Sequence, residues 1–284
     1  MNQDPSEERQ EAGETGSAGR GRSIVPWIVA AVLIAAGGYL YMKYQDRPVP
    51  PAPVVVEEAP PAEADALVRN PLPEPAPLPE PDPFTALLPD PLPALDASDA
   101  VMLKLAEFLL GQPELLALIV PQEVIRRIVI TVETLPTRSV PQNRLPLTPP
   151  EGRFLAVKDG EAWVIDGANF ARYGRHAALM GRLDARRVVD AYVHLYPLFQ
   201  NAYRELGNPK AYFNDRLILA IDDLLATPEV RGPLRLIQPT VFYQYADPQL
   251  EALSAGQRLL LRMGPANAAA IKEKLAELRR ELLR

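Results

Sequence analysis

The sequence contains no cysteine and only two histidines, His176 and His194. The absence of cysteine excludes a disulfide framework, a thiolate nucleophile and a zinc site built on cysteine ligands. Two histidines cannot form a three-histidine metal site within one chain. The sequence also lacks a phosphate-binding loop, a dinucleotide fingerprint and a Gly-x-Ser-x-Gly nucleophile elbow. We therefore predict a protein without a cofactor and without recognisable catalytic machinery.

The chain has no excess of basic residues, since the net charge of its 284 residues is −6, and this argues against nucleic-acid binding. Residues 1–96 carry a net charge of −9 and residues 97–284 carry +3. Such a difference is typical of an acidic, unfolded arm followed by a folded domain. Residues 1–23 are rich in Gly and Glu and have no apolar periodicity, which predicts a disordered N-terminal tail.

One long run without charge, Ile24–Met42, follows the tail. At ~1.5 Å per residue a helix of this length spans roughly 28 Å, close to the ~30 Å hydrocarbon core of a bilayer. Trp27 lies near one end and Tyr39 and Tyr41 near the other, where aromatic rings favour the membrane interface. We predict a retained transmembrane helix at residues 24–42. A cleaved signal peptide is the alternative, although its apolar core is usually only ~7–15 residues long.

The charges that flank this run predict its orientation. Three arginines precede the run, whereas one lysine and one arginine follow it. The positive-inside rule therefore favours a cytoplasmic N-terminus by a narrow margin. Residues 43–284 are then predicted to lie outside the cytoplasm.

Proline dominates the next stretch, with 16 prolines in the 46 residues from 48 to 93. Proline removes amide donors and disfavours helix in the preceding residue, so the chain is expected to be extended. We predict an acidic, Pro-rich linker over residues 43–97 that holds a domain away from the membrane. A docking strip for a partner with a polyproline groove is the alternative.

We predict that residues 98–284 form a single domain that is mainly α with a small β component (α+β). Apolar residues recur there at a spacing of three to four, between capping residues and glycines. Helices are predicted at 99–110, 113–120, 122–135, 169–180, 184–206, 211–226, 257–263 and 266–283. Asp159-Gly160 predicts the turn of a β-hairpin, and 234–237 and 241–245 are candidate strands.

Four stretches of this domain carry a family resemblance: His194–Gly207, Tyr212–Leu217, Leu224–Val230 and Leu253–Pro265. They resemble an uncharacterised bacterial family of membrane-anchored proteins, known only as domain of unknown function three-zero-one-four. The resemblance covers most of residues 98–284. The layout of an anchor followed by a Pro-rich stretch is similar as well, and the resemblance implies no activity. Together with the apolar run and its flanking charges, it leads us to predict a single-pass protein of the bacterial inner membrane with a periplasmic C-terminal domain.

Asp190 and His194 lie four residues apart on the longest predicted helix. An aspartate at this spacing can orient an imidazole for general-base catalysis. The alternative is an exposed pair that supports the helix by a few tenths of a kcal/mol. The alternative is favoured because no nucleophile motif accompanies the pair.

Asp222 and Asp223 lie in the last turns of the helix predicted at 211–226, where the helix dipole disfavours negative charge. We expect pairing with arginine, of which residues 97–284 contain 19. Asp215 and Asp222 are seven residues apart and share one face of that helix. A divalent metal bound by this pair is the alternative, although no Asp-rich calcium loop supports it.

A surface for a partner or a glycan is suggested by aromatic residues next to amide and charged side chains. The candidates are Tyr212, Asn214, Asp215 and Arg216 at the start of the helix 211–226, and Tyr243 and Tyr245 on a possible edge strand. The alternative is a packed helix N-terminus with an Asn or Asp cap.

These features favour a non-enzymatic, membrane-anchored envelope protein whose domain interacts with a protein or cell-wall partner. An envelope hydrolase that uses Asp190 and His194, or a metal enzyme that uses Asp215 and Asp222, is the second hypothesis. The third is a solute-binding sensor. A shallow groove lined by tyrosines would favour the first, a closed pocket that gathers the polar residues the second, and a deep cavity the third.

Overall fold

The computed structural model describes residues 68–74 and 82–284. The predicted tail (1–23), the predicted transmembrane helix (24–42) and most of the predicted linker lie outside the described residues. Within the described ranges, no helix is both long and apolar enough to cross a membrane.

Helices dominate the described part of the chain, as the apolar spacing predicts. The helices are α1 (Asp99–Leu110), α2 (Pro113–Leu116), α3 (Val124–Thr134), α4 (Ala168–Arg172), α5 (Gly174–Arg182), α6 (Ala185–Glu205), α7 (Phe213–Leu225), α8 (Pro248–Glu251), α9 (Ala255–Met263) and α10 (Pro265–Leu282). Short 3₁₀ helices lie at Thr85–Leu87, Leu95–Ala97 and Gln142–Arg144. The mainly α character of the domain is therefore confirmed.

Local signals account for several helix ends. Gly111 ends α1 in the left-handed conformation (φ 60°) that glycine adopts without strain. The Asp184 side chain accepts a hydrogen bond from the Arg187 N–H at the start of α6. Ser254 and Gln257 form a reciprocal capping box at the start of α9, as their spacing predicts.

The β component is larger than one hairpin. Strands β1 (Ala156–Asp159), β2 (Ala162–Ile165), β3 (Arg235–Ile237) and β4 (Gln244–Tyr245) form one antiparallel sheet in the order β1-β2-β3-β4. The predicted hairpin is present, but its turn is shifted by one residue. Asp159 pairs with Ala162, so Gly160 and Glu161 are the central residues. Only Gly160 has a positive φ (63°), as in a type II′ turn, which needs glycine at its first central position.

The main core surrounds α6, which packs against α3, α7 and α10. Aromatic side chains of α6 and α7 contact each other at the centre of this core, and the Phe199 and Phe213 rings stack at 6.0 Å. A second, smaller core lies under the sheet and joins Ile165, Leu236 and Tyr245 to Leu261 of α9. The helix α9 contributes to both cores, because Leu261 faces the sheet whereas Leu260 and Met263 lie in the main core.

The packed domain begins upstream of the predicted boundary at residue 98. Phe84, within the predicted linker range 43–97, is fully buried in the main core, and its ring contacts that of Phe108. The Arg187 guanidinium lies 5.5 Å from the centre of the Phe84 ring. Five leucines of the same range pack against the core: Leu72, Leu87, Leu88, Leu92 and Leu95. Apolar residues between the prolines therefore join this part of the linker to the domain, because they can bury surface there.

Candidate functional site

Asp190 and His194 lie on α6 but have different partners. Asp190 is buried, and its Oδ1 accepts a hydrogen bond from Arg284 Nη2 at 2.5 Å. The Nε2 atom of His194 lies 2.9 Å from the carbonyl oxygen of Pro89, so Nε2 carries a proton and donates it. No hydrogen bond between the two side chains occurs in the described structure. Asp190 therefore does not orient His194 as a catalytic pair requires.

Asp215 and Asp222, the candidate metal ligands, are also engaged separately. Asp222 forms an ion pair with Arg279, with 2.5 Å between Oδ1 and Nε. This confirms the expected arginine compensation, and the carboxylate of Asp222 raises the pKa of Arg279. Asp223 accepts a hydrogen bond from the Ser254 hydroxyl at 2.6 Å. Within residues 68–74 and 82–284, no group of three or more His, Asp or Glu side chains is placed to hold a metal ion.

The first turn of α7 is covered by a segment of the same chain, residues 68–74, which we call the strap. The carboxylate of Asp215 accepts hydrogen bonds from the Asn70 N–H at 2.7 Å and from the Arg69 N–H at 3.2 Å. Asn214 is fully buried, and its Nδ2 donates to the Asn70 carbonyl at 2.9 Å. Pro73 of the strap is itself buried. Two of the residues predicted to recognise a partner or a glycan, Asn214 and Asp215, therefore bind the strap.

Arg216 and Tyr212, the other two candidates at the start of α7, are also packed against the domain. Arg216 forms an ion pair with Glu133 of α3, with 2.8 Å between Nε and Oε2. The ring of Tyr212 is half-buried and lies 5.4 Å from the ring of Tyr196. The alternative interpretation, a packed helix N-terminus, thus describes this site better than an open surface, but the expected Asn or Asp cap is absent, because Tyr212 is the N-cap of α7 and makes no side-chain cap hydrogen bond.

The prediction that Tyr245 adds to an exposed surface is wrong. Tyr245 is paired with Leu236 across β3 and β4 and points into the core under the sheet. Its side chain is 1% exposed, its hydroxyl donates to the Arg258 carbonyl at 3.1 Å, and burial raises its pKa to about 12. Tyr243 is half-buried, and its ring lies 5.8 Å from that of Trp163. The exposed apolar side chains of this region are instead Val241 (84%) and Phe242 (77%).

An apolar cavity of about 370 Å³, partly open to solvent, lies in the main core among α1, α3, α5, α6, α7 and α10, and Ile119, Pro146 and Leu147 complete its lining. Representative lining residues are Leu105, Leu109, Ile128, Leu195, Leu217 and Leu278. In the described structure every lining side chain is apolar except that of Tyr192, whose hydroxyl donates to Asn214 Oδ1 at 3.0 Å. Burial raises the pKa of Tyr192 well above its ordinary value, so the hydroxyl keeps its proton.

The cavity has no counterpart among the predicted sites. The sequence marks its lining residues as apolar faces of helices, and this pattern is the same whether the faces meet or leave a void. The separation of six helices determines which of the two occurs. Motif searching therefore could not locate the cavity.

Two buried polar side chains near the cavity, Tyr196 and Gln200, are satisfied within the chain. Gln200 Oε1 accepts hydrogen bonds from the Tyr196 hydroxyl at 2.6 Å and from the Phe213 N–H at 3.0 Å. Gln200 Nε2 donates to the Ala211 carbonyl at 2.8 Å. Burial raises the pKa of Tyr196, which keeps this hydroxyl a donor as well. These groups offer no vacant polar contact to a ligand.

Comparison with known proteins identifies one family. The model of a family described as "Protein of unknown function (DUF3014)" matches residues 124–279. No curated protein and no solved structure matches the chain. The matched range includes α3 to α7, the whole sheet, α8, α9 and most of α10.

Proposed function

The chain belongs to the DUF3014 family of unknown function, and we propose that it is a membrane-anchored, solute-binding protein of the bacterial envelope. In this proposal residues 24–42 cross the inner membrane and the helical domain lies in the periplasm. The domain binds one apolar molecule in the cavity of the main core. The observation that carries the proposal is the size of this cavity and the apolar character of its lining.

The size matters because protein interiors are normally close-packed, with few voids larger than a water molecule. The side chains that line a space of about 370 Å³ make fewer contacts with one another than close-packed side chains do. Water is a poor occupant because the apolar lining gives it few hydrogen-bond partners. An apolar ligand would supply the missing contacts.

The shape and the lining favour one class of ligand. Lining residues on α6 run from Val188 to Phe199, a distance of roughly 16 Å along the helix. The lining therefore follows α6 over about three turns, a length that suits an extended chain. A polar ligand would lose its hydrogen bonds to water without gaining others, because the lining is apolar. We therefore propose a single hydrocarbon chain, such as that of a fatty acid, as the ligand.

A catalytic role receives little support from the same geometry. Asp190 and His194 are occupied by Arg284 and Pro89, and Asp222 by Arg279. The cavity lining contains no titratable group other than the Tyr192 hydroxyl, whereas catalytic sites gather perturbed acids and bases. The proposal is therefore binding without catalysis.

The experiment is photolabelling of the full-length protein in its native membrane with a diazirine analogue of palmitic acid. Peptides are mapped by mass spectrometry. We expect adducts on lining residues of α1 and α7, such as Leu109 and Leu217. Ala191→Phe fills the cavity from α6 and should abolish these adducts. Ala270→Phe is the matched control, since this alanine is exposed on α10.

Two results would contradict the proposal. One is labelling confined to residues outside the cavity, as expected if the probe only partitions into the membrane. The other is equal labelling of lining residues in the wild type and in Ala191→Phe, provided that both variants are folded by circular dichroism.

Interaction with a protein or cell-wall partner remains a second candidate, favoured by the loop between β3 and β4. Val241 and Phe242 are large apolar neighbours that are almost fully exposed there, a feature common at interaction sites. A photo-reactive amino acid at position 242 tests this function in cells. A single dominant partner would support it, and no adduct on a correctly exported protein would exclude this loop as the interface.

A further inference from the structure

We propose that occupancy of the apolar cavity is coupled to docking of the strap through Tyr192, Asn214 and Asn70. This coupling rests on the proposed function, since it needs a ligand in the cavity. The coupling would let ligand binding change the length of the tether, because the strap connects the domain to the preceding Pro-rich chain.

The strap is held mainly through its backbone. The Asp215 carboxylate accepts the N–H groups of two consecutive residues, Arg69 and Asn70, and also Asn70 Nδ2 at 3.0 Å. A carboxylate that accepts several N–H groups forms charge-assisted hydrogen bonds, which are stronger than neutral ones. Leu72 packs against the main core. The strap is thus a specific attachment of the chain to α7.

A chain of two hydrogen bonds joins the strap to the cavity. The Asn70 carbonyl accepts from Asn214 Nδ2, and Asn214 Oδ1 accepts from the Tyr192 hydroxyl. Asn214 is fully buried, so neither of its side-chain contacts can be replaced by water without opening the structure. Tyr192 belongs to both sites, because it lines the cavity and its hydroxyl donates to Asn214, the residue that binds the strap.

The position of the Tyr192 ring is what a ligand can change. Around an empty cavity, side chains relax partly into the void. A bound hydrocarbon chain packs against the ring and holds the hydroxyl at Asn214. A shift of the hydroxyl by about 0.5 Å would take the 3.0 Å bond to Asn214 beyond normal hydrogen-bond length. We therefore expect ligand binding to favour the docked strap.

Linkage makes the effect reciprocal. If the ligand strengthens docking of the strap by some factor, the docked strap strengthens ligand binding by the same factor. Release of the strap would move the first described attachment to the domain from Arg69 to Asp82, which lengthens the tether by 13 residues, roughly 40 Å at ~3.1 Å per residue when extended. Ligand binding would thereby shorten the reach of the domain from its attachment point.

The absence of cysteine from the chain allows a clean test. Leu72→Cys places one thiol in the strap, and its rate of reaction with a maleimide reports how often the strap opens, because only an accessible thiol reacts. The full-length protein is measured in lipid nanodiscs with and without the diazirine palmitic acid. Val241→Cys is the control, since Val241 is exposed whether or not the strap is docked.

We expect the ligand to slow labelling of Leu72→Cys at least threefold and to leave Val241→Cys unchanged. Adding Tyr192→Phe, which keeps the ring and removes the hydroxyl, should abolish the ligand effect while photolabelling of the cavity persists. Adding Asp215→Ala should speed labelling of Leu72→Cys both with and without ligand, because it removes the acceptor of the strap N–H groups.

The outcomes separate the two proposals. Cavity photolabelling with no ligand effect on Leu72→Cys would overturn the coupling and leave the proposed function standing. A ligand effect that survives Tyr192→Phe would overturn the route through the hydroxyl. Absence of cavity photolabelling would overturn the proposed function, and the coupling with it.

Discussion

Tyr192 lies between the apolar cavity and the contact of the strap with Asn214 and Asp215, which we call the seam. The cavity is lined by apolar side chains, whereas the seam consists of hydrogen bonds between polar groups. At the seam, Asn214 and Asp215 are bound by Asn70 and Arg69 of the same chain. In the cavity, apolar side chains of six helices face a space that no described residue fills. A buried polar group without a partner costs about 1–3 kcal/mol, so the chain supplies the partner. An apolar surface needs no specific partner and can remain available to a ligand.

The comparison predicts that enlarging the cavity has the largest effect. Leu195 is 2% exposed and lines the cavity from α6. Leu195→Ala should lower the free energy of unfolding by about 3–5 kcal/mol, because side chains around an existing void cannot collapse to fill the added space. Urea denaturation measures this, and the exposed Leu219→Ala on α7 is the control. A loss below ~1 kcal/mol would mean that the helices close over the cavity.

A second prediction concerns the effect of pH on Tyr245, a buried polar side chain under the sheet. Burial raises the pKa of Tyr245 to about 12, whereas an unfolded tyrosine has a pKa of about 10. The stabilisation that this shift contributes is therefore fully present below pH 10 and is lost as the pH rises through 12, by up to about 3 kcal/mol. The difference in unfolding free energy between wild type and Tyr245→Phe should shrink over this interval. A constant difference would show that Tyr245 ionises as freely as in the unfolded chain.

At the seam itself, Asn214→Ala should lower the free energy of unfolding by about 1–3 kcal/mol, because it leaves the Tyr192 hydroxyl and the Asn70 carbonyl without partners. Thermal denaturation together with maleimide labelling of Leu72→Cys measures both stability and strap release. Asn201→Ala serves as the control, because Asn201 is an exposed residue of α6. Equal effects of the two substitutions would contradict the role assigned to Asn214.

The smallest effect is predicted for Asp222, outside both regions. Asp222→Asn removes one carboxylate of an exposed pair with Arg279, and exposed ion pairs contribute little to stability. We expect an unchanged melting temperature and no dependence of either protein on added Mg²⁺ or Ca²⁺ or on a chelator. A metal-dependent rise in melting temperature that is lost in Asp222→Asn would restore the metal hypothesis.

Interactions between near neighbours were predictable from the sequence. Gly111, Asp184 and the Ser254–Gln257 pair mark helix ends where the structure has them. The hairpin was predictable as well, apart from the one-residue shift of its turn. Each of these signals acts over about four residues, so the linear pattern contains all the groups involved.

The partner of Asp99 could not be predicted from the local sequence. It lies at the start of α1, as a capping residue should, yet its carboxylate accepts the N–H groups of Glu123 and Val124 at the start of α3. The acid is at a helix N-terminus in either case. Which helix it serves depends on how α1 and α3 pack, and that information is absent from the local pattern.

The sequence by itself determined most of the helices, the hairpin, the mainly α class and the family, although the helix predicted at 169–180 is two helices, α4 and α5, and α8 was not predicted. Only the tertiary structure decided that Phe84 and the strap belong to the domain, that Asp215 serves Asn70, and that the apolar helix faces enclose a cavity. Asn70 and Asp215 are 145 residues apart, and no local interaction brings them together. The cavity, likewise, depends on the spacing of six helices, which is set only when the chain packs, although the volumes of the side chains follow from the sequence.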